Sequence, residues 1–318
     1  MTRLTLGTRG SALALWQAHT VAAALECDGQ CRCELQVIKT TGDRLAEVNL
    51  SKIGGKQVFV KEIEHALAEG AIDLAVHSAK DMPAELPEGL TVAGVLPRED
   101  PRDAVVLPAD RADLPPLDRS GATPINVGSG SIRRVAQLSR AWPAAIFSLI
   151  RGNIETRLRK LDDGDYDLVI LAAAGLRRLG HGDRIATTLE PALCLPAPGQ
   201  GIVAIETRED DVDTMNRISA VSDPLASAAL EAERKVLIDL GGGCQVPIGA
   251  LATIVDDQLT LQALVASPDG SVLLRRERRG NIADAATIGA SVAAELLEDG
   301  AGPILASSTT GSSGAVDA

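Results

Sequence analysis

Aromatic residues are nearly missing from this 318-residue chain: two Trp, one Tyr and two Phe, 2% of the whole. That leaves no set of rings on which successive bases could stack, as single-stranded nucleic-acid binders require. Positive charge is also short. Against 43 Asp and Glu stand 31 Lys and Arg, a formal net charge of −12, which argues against a general nucleic-acid binder. No run of about 18 apolar residues occurs, so no membrane span is expected. Met1-Thr2-Arg3-Leu4-Thr5-Leu6-Gly7 passes straight into a strand-like segment without a signal-peptide pattern. The five cysteines are an odd number without framework spacing, so a reduced, cytoplasmic setting is expected. No G-x-x-x-x-G-K-[ST] run is present, which removes the main support for a phosphate-handling enzyme.

Hydrophobic residues make up 45% of the chain, enough for two or three domains with real cores. Leu4 to Leu6 reads as a strand and Gly7-Thr8-Arg9-Gly10-Ser11 as a turn, with Ser11 a candidate N-cap. Ala14, Ala18, Val21, Ala22 and Leu25 follow at helical spacing. Glu34 to Ile38 is the next strand. Phe59, Ile63, Ala66 and Leu67 form a second helical stripe closed by Gly70. Ile72 to His77 and Leu90 to Val95 read as buried strands. The polar run from Pro97 to Asp103, with two prolines, reads as a linker.

Beyond that linker the alternation starts again. Ile125 to Val127 is a strand, Gly128-Ser129-Gly130 a turn, and Ser131 opens a helix to about Arg140. Ile154, Leu158 and Leu161 make another stripe, and Tyr166 to Ala172 another strand. The two halves echo each other: Leu6-Gly7-Thr8-Arg9-Gly10-Ser11 parallels Val127-Gly128-Ser129-Gly130-Ser131, and Ile72-Asp73-Leu74 parallels Tyr166-Asp167-Leu168. The expectation is two similar α/β lobes around a cleft. A second crossing falls at Pro196 to Gly201, before a strand from Ile202 to Glu206. From Pro224 come a long helix, Gly241-Gly242-Gly243-Cys244, strand signals near 248–254, 259–266 and 272–279, and a helix from about Asp284, a candidate N-cap, to Leu297. These read as a small α+β third domain. The expected division is 1–99 with 201–219, then 104–196, then 223–306, with 307–318 a disordered tail.

The cations fall in telling places. Arg9, Lys52, Lys56, Arg133, Arg134, Arg151 and Arg157 sit beside glycines or at helix starts. Arg133 and Arg134 lie in a first helical turn, where a cation opposes the helix dipole. An anionic ligand there would explain them; solvated surface arginines are the plain alternative. A ligand bearing several carboxylates or phosphates suits the set, since Arg pairs with either in bidentate fashion. His77-Ser78-Ala79-Lys80-Asp81-Met82-Pro83 ends a buried strand, the place where α/β sheets gather ligands. Asp81 is then either a positioned carboxylate or a turn Asp before Pro. His77 and Ser78 make no nucleophile and base pair, because neighbours on a strand point to opposite faces. Cys244 behind three glycines is either a reactive thiol or a loop cysteine. Cys27, Cys31 and Cys33 are either a soft-metal chelate or a loop that happens to hold cysteines. Their spacing is no usual zinc pattern and no His is near, which favours the loop.

In order along the chain, these segments resemble the porphobilinogen deaminase family: Thr8 to Ala18, Lys52-Ile53-Gly54-Gly55-Lys56, Phe59 to Glu62, His77 to Pro83, Arg98 to Asp103, Ser131-Ile132-Arg133-Arg134, Arg151-Gly152-Asn153, Thr156-Arg157-Leu158, Ala174-Gly175-Leu176, Pro198-Gly199-Gln200-Gly201 and Gly242 to Pro247. Each alone is weak; the ordered set is specific. The resemblance implies two type-II periplasmic-binding-protein-like lobes around a cleft plus the small C-terminal domain. It implies that four porphobilinogens lose ammonia and join head to tail into hydroxymethylbilane, in heme and tetrapyrrole biosynthesis. It also implies a dipyrromethane cofactor, built from substrate and held by a thioether to Cys244. Asp81 takes the catalytic position. Lys80, Ser129, Ser131, Arg133, Arg134 and Arg151 take cofactor positions; Arg9, Ser11, Arg157, Arg178 and Gln200 take substrate positions. Lys52, Lys56 and Phe59 fall on a mobile loop near the site. No metal is implied, the chain is expected to be a monomer, and its product passes to a uroporphyrinogen-forming enzyme. Gly130 departs from the family, standing where a hydroxyl residue is usual. The main rival reading, a non-catalytic bilobal binder of small anions, would need neither Cys244 on its glycine loop nor a third domain.

Overall fold

The computed structural model describes residues 1–40, 60–117, 123–242 and 246–310. Lys52, Lys56, Phe59 and Cys244 lie outside them. Three sheets organise the chain. In the first lobe, β1 (Thr2–Thr8) lies between β2 (Cys31–Val37) and β3 (Leu74–Ser78), all parallel. Strand β10 (Val203–Arg208) then inserts antiparallel between β3 and β4 (Leu90–Val95). In the second lobe, β6 (Ile125–Gly128) lies between β7 (Ala145–Ser148) and β8 (Leu168–Ala172), again parallel. Strand β5 (Asp103–Val106) inserts antiparallel between β8 and β9 (Ile185–Thr188). The orders β2-β1-β3-β10-β4 and β7-β6-β8-β5-β9 are therefore one pattern used twice. In each lobe the antiparallel strand is the one that has just crossed from the other.

Helix α1 (Ala12–Glu26) starts where Ser11 Oγ accepts the Ala14 N–H at 3.3 Å, the expected N-cap. Its stripe of Ala18, Val21, Ala22 and Leu25 packs on Leu4, Leu6, Leu74, Val76 and Ile205. Helix α2 (Lys61–Ala68) covers the other face through Ile63 and Leu67. The second lobe carries α3 (Ile132–Ala141), α4 (Ile154–Asp162) and α5 (Ala173–Arg178), and α6 (Val212–Val221) returns to the first. Helix α7 (Pro224–Asp239) has Pro224 in its first turn and Asp223 capping the Ala226 N–H at 2.7 Å. It packs with α8 (Ala285–Glu298) on the antiparallel meander β11 (Ile248–Val255), β12 (Gln258–Ala266), β13 (Leu273–Asn281). Helix α9 (Ala301–Thr310) follows.

The structure departs from expectation in particular places. Strand β2 begins at Cys31, so Cys31 and Cys33 lie on a strand and not in a loop; Cys31 is buried. The linker ends one residue early, because Asp103 already opens β5. Helix α9 continues to Thr310, past the point where the disordered tail was expected to begin. Asp284 stands at the α8 N-cap position but makes no side-chain capping bond. Among the described residues no helix is long and apolar enough to cross a membrane.

Candidate active site

Parallel strands end on a common edge, and in open α/β sheets that carboxyl edge is where ligands sit. Here β1 ends at Thr8, before Arg9 and Ser11; β3 ends at Ser78, before Lys80 and Asp81. In the second lobe β6 ends before Ser129 and Ser131, β7 before Arg151, and β8 before the helix that carries Arg178. The two crossings reach the same edge, since Val203 pairs with Ser78 and Asp103 with Ala172. Chain topology thus puts Arg9, Ser11, Lys80, Asp81, Ser129, Ser131 and Arg151 just beyond the ends of these strands.

Asp81 closes a short 3-10 turn, Ala79–Asp81. The turn is tied down by the Ala79 N–H donating to Ile202 O at 3.0 Å. Ala79 and Met82 are buried against Ala226 and Leu230 of α7, so the third domain props the turn from below. Facing it from the second lobe is Arg157 on α4. Its Nε donates to Gly152 O at 2.8 Å, and its helix is started by Asn153, which caps the Thr156 N–H at 2.9 Å. Burial first, with Arg134 and Arg151 as like charges, lowers the Arg157 pKa to about 10, while Asp81 acts the other way. The structure therefore brings Asp81, Arg134 and Arg151 within electrostatic reach of Arg157.

Arg133 and Arg134 stand differently from expectation. Neither is a solvated surface arginine, for each is only 5% exposed. Both turn back onto Asp103, which is fully buried. Arg134 donates to Asp103 Oδ1 through Nε at 3.0 Å and Nη2 at 2.8 Å, and to Ile170 O at 2.8 Å. Arg133 Nη1 lies 2.8 Å from Asp103 Oδ2 and donates to Leu195 O at 2.6 Å. The first anion that offsets these helix-start cations is thus a residue of the chain itself. Burial pushes the Asp103 carboxyl up, but the two guanidinium groups outweigh it and hold it well below the usual carboxylate range.

Gln200 is buried and ties the crossings together: its Nε2 donates to Pro101 O at 2.6 Å and Asp103 Oδ1 at 2.9 Å, and its Oε1 accepts Lys80 Nζ at 3.3 Å. Arg178 sits to one side, where the lobes touch. It donates to Gly201 O at 2.7 Å and lies 5.4 Å from the Trp16 ring centroid. Gly201 has φ +89°, and a Cβ there would meet Glu99 O at 2.3 Å. Ser129 is buried, and its hydroxyl accepts the Ser131 N–H at 3.3 Å. A Cβ on Gly130 would meet Ile150 O at 2.8 Å, which accounts for glycine at that point of this chain. Arg9, Ser11, Ser131 and Arg151 are half-buried.

Two residues of the site went unread in the sequence. Asp103 looked like the end of a linker; the one signal was an acid directly before the apolar run Ala104-Val105-Val106. Glu233 looked like one more polar position on a long helix. It is fully buried and accepts Arg98 Nη1 at 2.5 Å, the Gly199 N–H at 2.6 Å and the Ala252 N–H at 2.7 Å. It thereby joins both crossings to the first strand of the third domain. Cys244 lies outside the described residues, between buried Gly242 and buried Val246.

Known proteins resemble this chain along nearly its whole length. Residues 4–216 match the family model described as porphobilinogen deaminase, dipyromethane cofactor binding domain, and residues 228–298 match porphobilinogen deaminase, C-terminal domain. A porphobilinogen deaminase of Syntrophobacter fumaroxidans is 50% identical over 94% of this chain and 96% of its own length. Those of Bordetella parapertussis and Chromobacterium violaceum are 48% and 45% identical, each over 96% of this chain and over 96% and 98% of their own lengths. Among solved structures, immunogenic lipoprotein A from Vibrio vulnificus aligns with a TM-score of 0.42 at 12% identity, covering 72% of this chain and 99% of its own. With both family models in place along nearly its whole length, the chain belongs to the porphobilinogen deaminase family.

Proposed function

We propose that this chain joins four porphobilinogen units head to tail with loss of ammonia, giving hydroxymethylbilane, and that the residues gathered between its lobes do the work. The observation that carries the reading is Arg157, half-buried within reach of Arg134 and Arg151 with Asp81 as the opposing charge. Three guanidinium groups gather there, with Asp81 opposite Arg157 and Asp103 beside Arg134, and such a concentration of cations suits a polyanion. Each porphobilinogen ring bears an acetate and a propionate, and a growing oligopyrrole is a polycarboxylate. The same chemistry fits a dipyrromethane cofactor: Arg134, Arg151 and Lys80, with Ser129 and Ser131, would hold its carboxylates, and Cys244 would carry it as a thioether. When bound, that group supplies the pyrrole carbon to which the first substrate is added. Arg9, Ser11, Arg157, Arg178 and Gln200 would take the substrate side chains.

The role of Asp81 follows from its fixed position. Loss of ammonia from porphobilinogen leaves a cation with charge near the pyrrole nitrogen. A carboxylate already held in place stabilises that charge without reorganising, and it can accept and return a pyrrole proton. The anchored turn from Ala79 to Met82 supplies the fixity. Arg133 and Arg134 are both held by Asp103, and both would turn their remaining N–H groups to the cofactor's carboxylates.

The proposed domains are 1–99 with 201–219, 104–196 and 223–306; the return of β10 to the first sheet supports the first of these. A cytoplasmic monomer that hands its product to a uroporphyrinogen-forming enzyme completes the reading. The test is the intact mass of purified protein beside Cys244→Ser. The expected result is an excess of two porphobilinogen units less their ammonia in the parent, and no excess and no normal turnover in the variant. A parent without the excess, or a variant with it, would sink the reading.

A further inference from the structure

Asp103 opens β5 at the point where the chain enters the second lobe. Its carboxylate collects four donor residues from three parts of the fold. Oδ1 accepts Arg134 Nε and Nη2 at 3.0 and 2.8 Å and Gln200 Nε2 at 2.9 Å. Oδ2 takes Arg133 Nη1 at 2.8 Å and the Cys194 thiol at 3.4 Å. Gln200 passes the connection on, because its Oε1 accepts Lys80 Nζ at 3.3 Å. A continuous set of polar contacts therefore runs from the start of α3 in one lobe to Lys80, the chain neighbour of Asp81, in the other.

Stability alone does not account for this arrangement. Two buried guanidinium groups share one carboxylate, so the cluster keeps one positive charge in excess, and apolar residues of like volume would stabilise a buried site as well or better. Cys194 does not supply the missing charge. Burial, and then Asp103 itself, push its thiol up to about 12, so it stays neutral. The excess charge borders on Arg157, which already feels Arg134 as a like charge. The cluster is balanced only when an anion lies next to it.

We propose that Asp103 is a positioning residue, which fixes the guanidinium plane of Arg134 toward the ligand's carboxylates and, through Gln200, sets Lys80 and the Asp81 turn in register with it across the two lobes. This rests on the proposed function above. Removing the carboxylate would free two arginines to fold onto the ligand or onto Asp81, and would cut the link to Lys80. The position of the ligand relative to Asp81 would then be lost, and binding and turnover with it.

The experiment compares Asp103→Asn, Asp103→Glu and Cys194→Ala in the full-length protein. Each is assayed by thermal unfolding, by intact mass before and after adding porphobilinogen, and by separate KM and kcat. Cys194→Ala touches the far side of the same carboxylate, so it reports what loosening the cluster does without removing its charge. The expectation for Asp103→Asn is a smaller covalently loaded fraction and a KM raised about tenfold or more, as misaligning one charge-assisted pair implies. Asp103→Glu keeps the charge but displaces it by one methylene. It should hold a normal melting temperature within a few degrees and still show the raised KM and a shifted ladder of pyrrole adducts. Cys194→Ala should lower the melting temperature but change loading, ladder and KM less than either Asp103 variant, because the carboxylate stays in place. If Asp103→Asn does not fold, Asp103→Glu decides alone. A parent-like loaded fraction, adduct ladder and KM in the folded Asp103 variants would overturn the positioning role. A parent that lacks the two-unit mass excess would instead overturn the function on which it rests.

Discussion

At the scale of single residues, charge placed in the interior decides most. Glu64 on α2 is buried, and its Oε1 has no hydrogen-bond partner among the described residues. Burial first, then Glu206, raise its carboxyl to about 7, with His77 and Lys61 acting in the opposite direction. His77 Nε2 lies 3.0 Å from Glu206 Oε2, so these groups form one buried set at the back of β3. The folded-state pKa of Glu64 is above its unfolded value of 4.5, so the folded protein holds the proton more tightly. The stability this contributes is complete below about pH 4.5 and is lost as pH rises through about 7. Glu64→Gln should therefore be nearly neutral at pH 5 and stabilising by about 1–2 kcal/mol at pH 8. Denaturant midpoints of parent and variant at the two pH values test this, and a pH-independent difference would refute it. By contrast, the Cys33 thiol stays protonated at neutral pH: burial, then Cys31 beside it, push it up to about 12.

At the scale of elements, helix starts aim the site. Helix α4 begins at Asn153, and Arg157 follows in its first turn with its Nε on Gly152 O. The cap therefore fixes both the helix axis and the direction of the guanidinium. Asn153→Ala removes the acceptor of the Thr156 N–H and should cost about 1 kcal/mol of stability. Because the same turn carries Arg157, KM for porphobilinogen should rise while Asn153→Asp, which restores the cap, keeps it near the parent value. An Asn153→Ala enzyme with unchanged KM would show that Arg157 is aimed by its surroundings and not by its helix. Helix α3 works otherwise. Ser131 stands at its N-cap without a side-chain capping bond, and the first-turn arginines are instead held by Asp103.

At the scale of the whole molecule, three sheets are held together at one carboxylate. Glu233 takes Arg98 from the first crossing, Gly199 from the second and Ala252 from the third domain. Around it, α7 packs on Ala79 and Met82, and Leu251 and Leu264 pack on Ala136 and Leu195 of the second lobe. Glu233→Gln leaves Arg98 without its counter-charge in a dry place, which costs about 3–5 kcal/mol. The variant should unfold in two calorimetric transitions, the third domain parting from the lobes. One transition at the parent temperature would show that the apolar contacts suffice.

What the sequence by itself determined was local or repeated. The Ser11 cap, the α1 stripe, the buried strand Leu90–Val95 and the echo between Leu6 to Ser11 and Val127 to Ser131 all depend on neighbours a few residues apart, and each is seen in the structure. The family motifs likewise pick out the loops that end parallel strands. Only the tertiary structure decided which charges meet. Asp103 and Arg134 are 31 residues apart, and Arg98 and Glu233 135 apart. Nothing periodic marks such pairs, because a buried ion pair is selected by the crossing of two chain segments and by the absence of water there, not by spacing along the chain. That is why Arg133 and Arg134 read as ligand-facing cations in the sequence, while folding gives them an internal anion first.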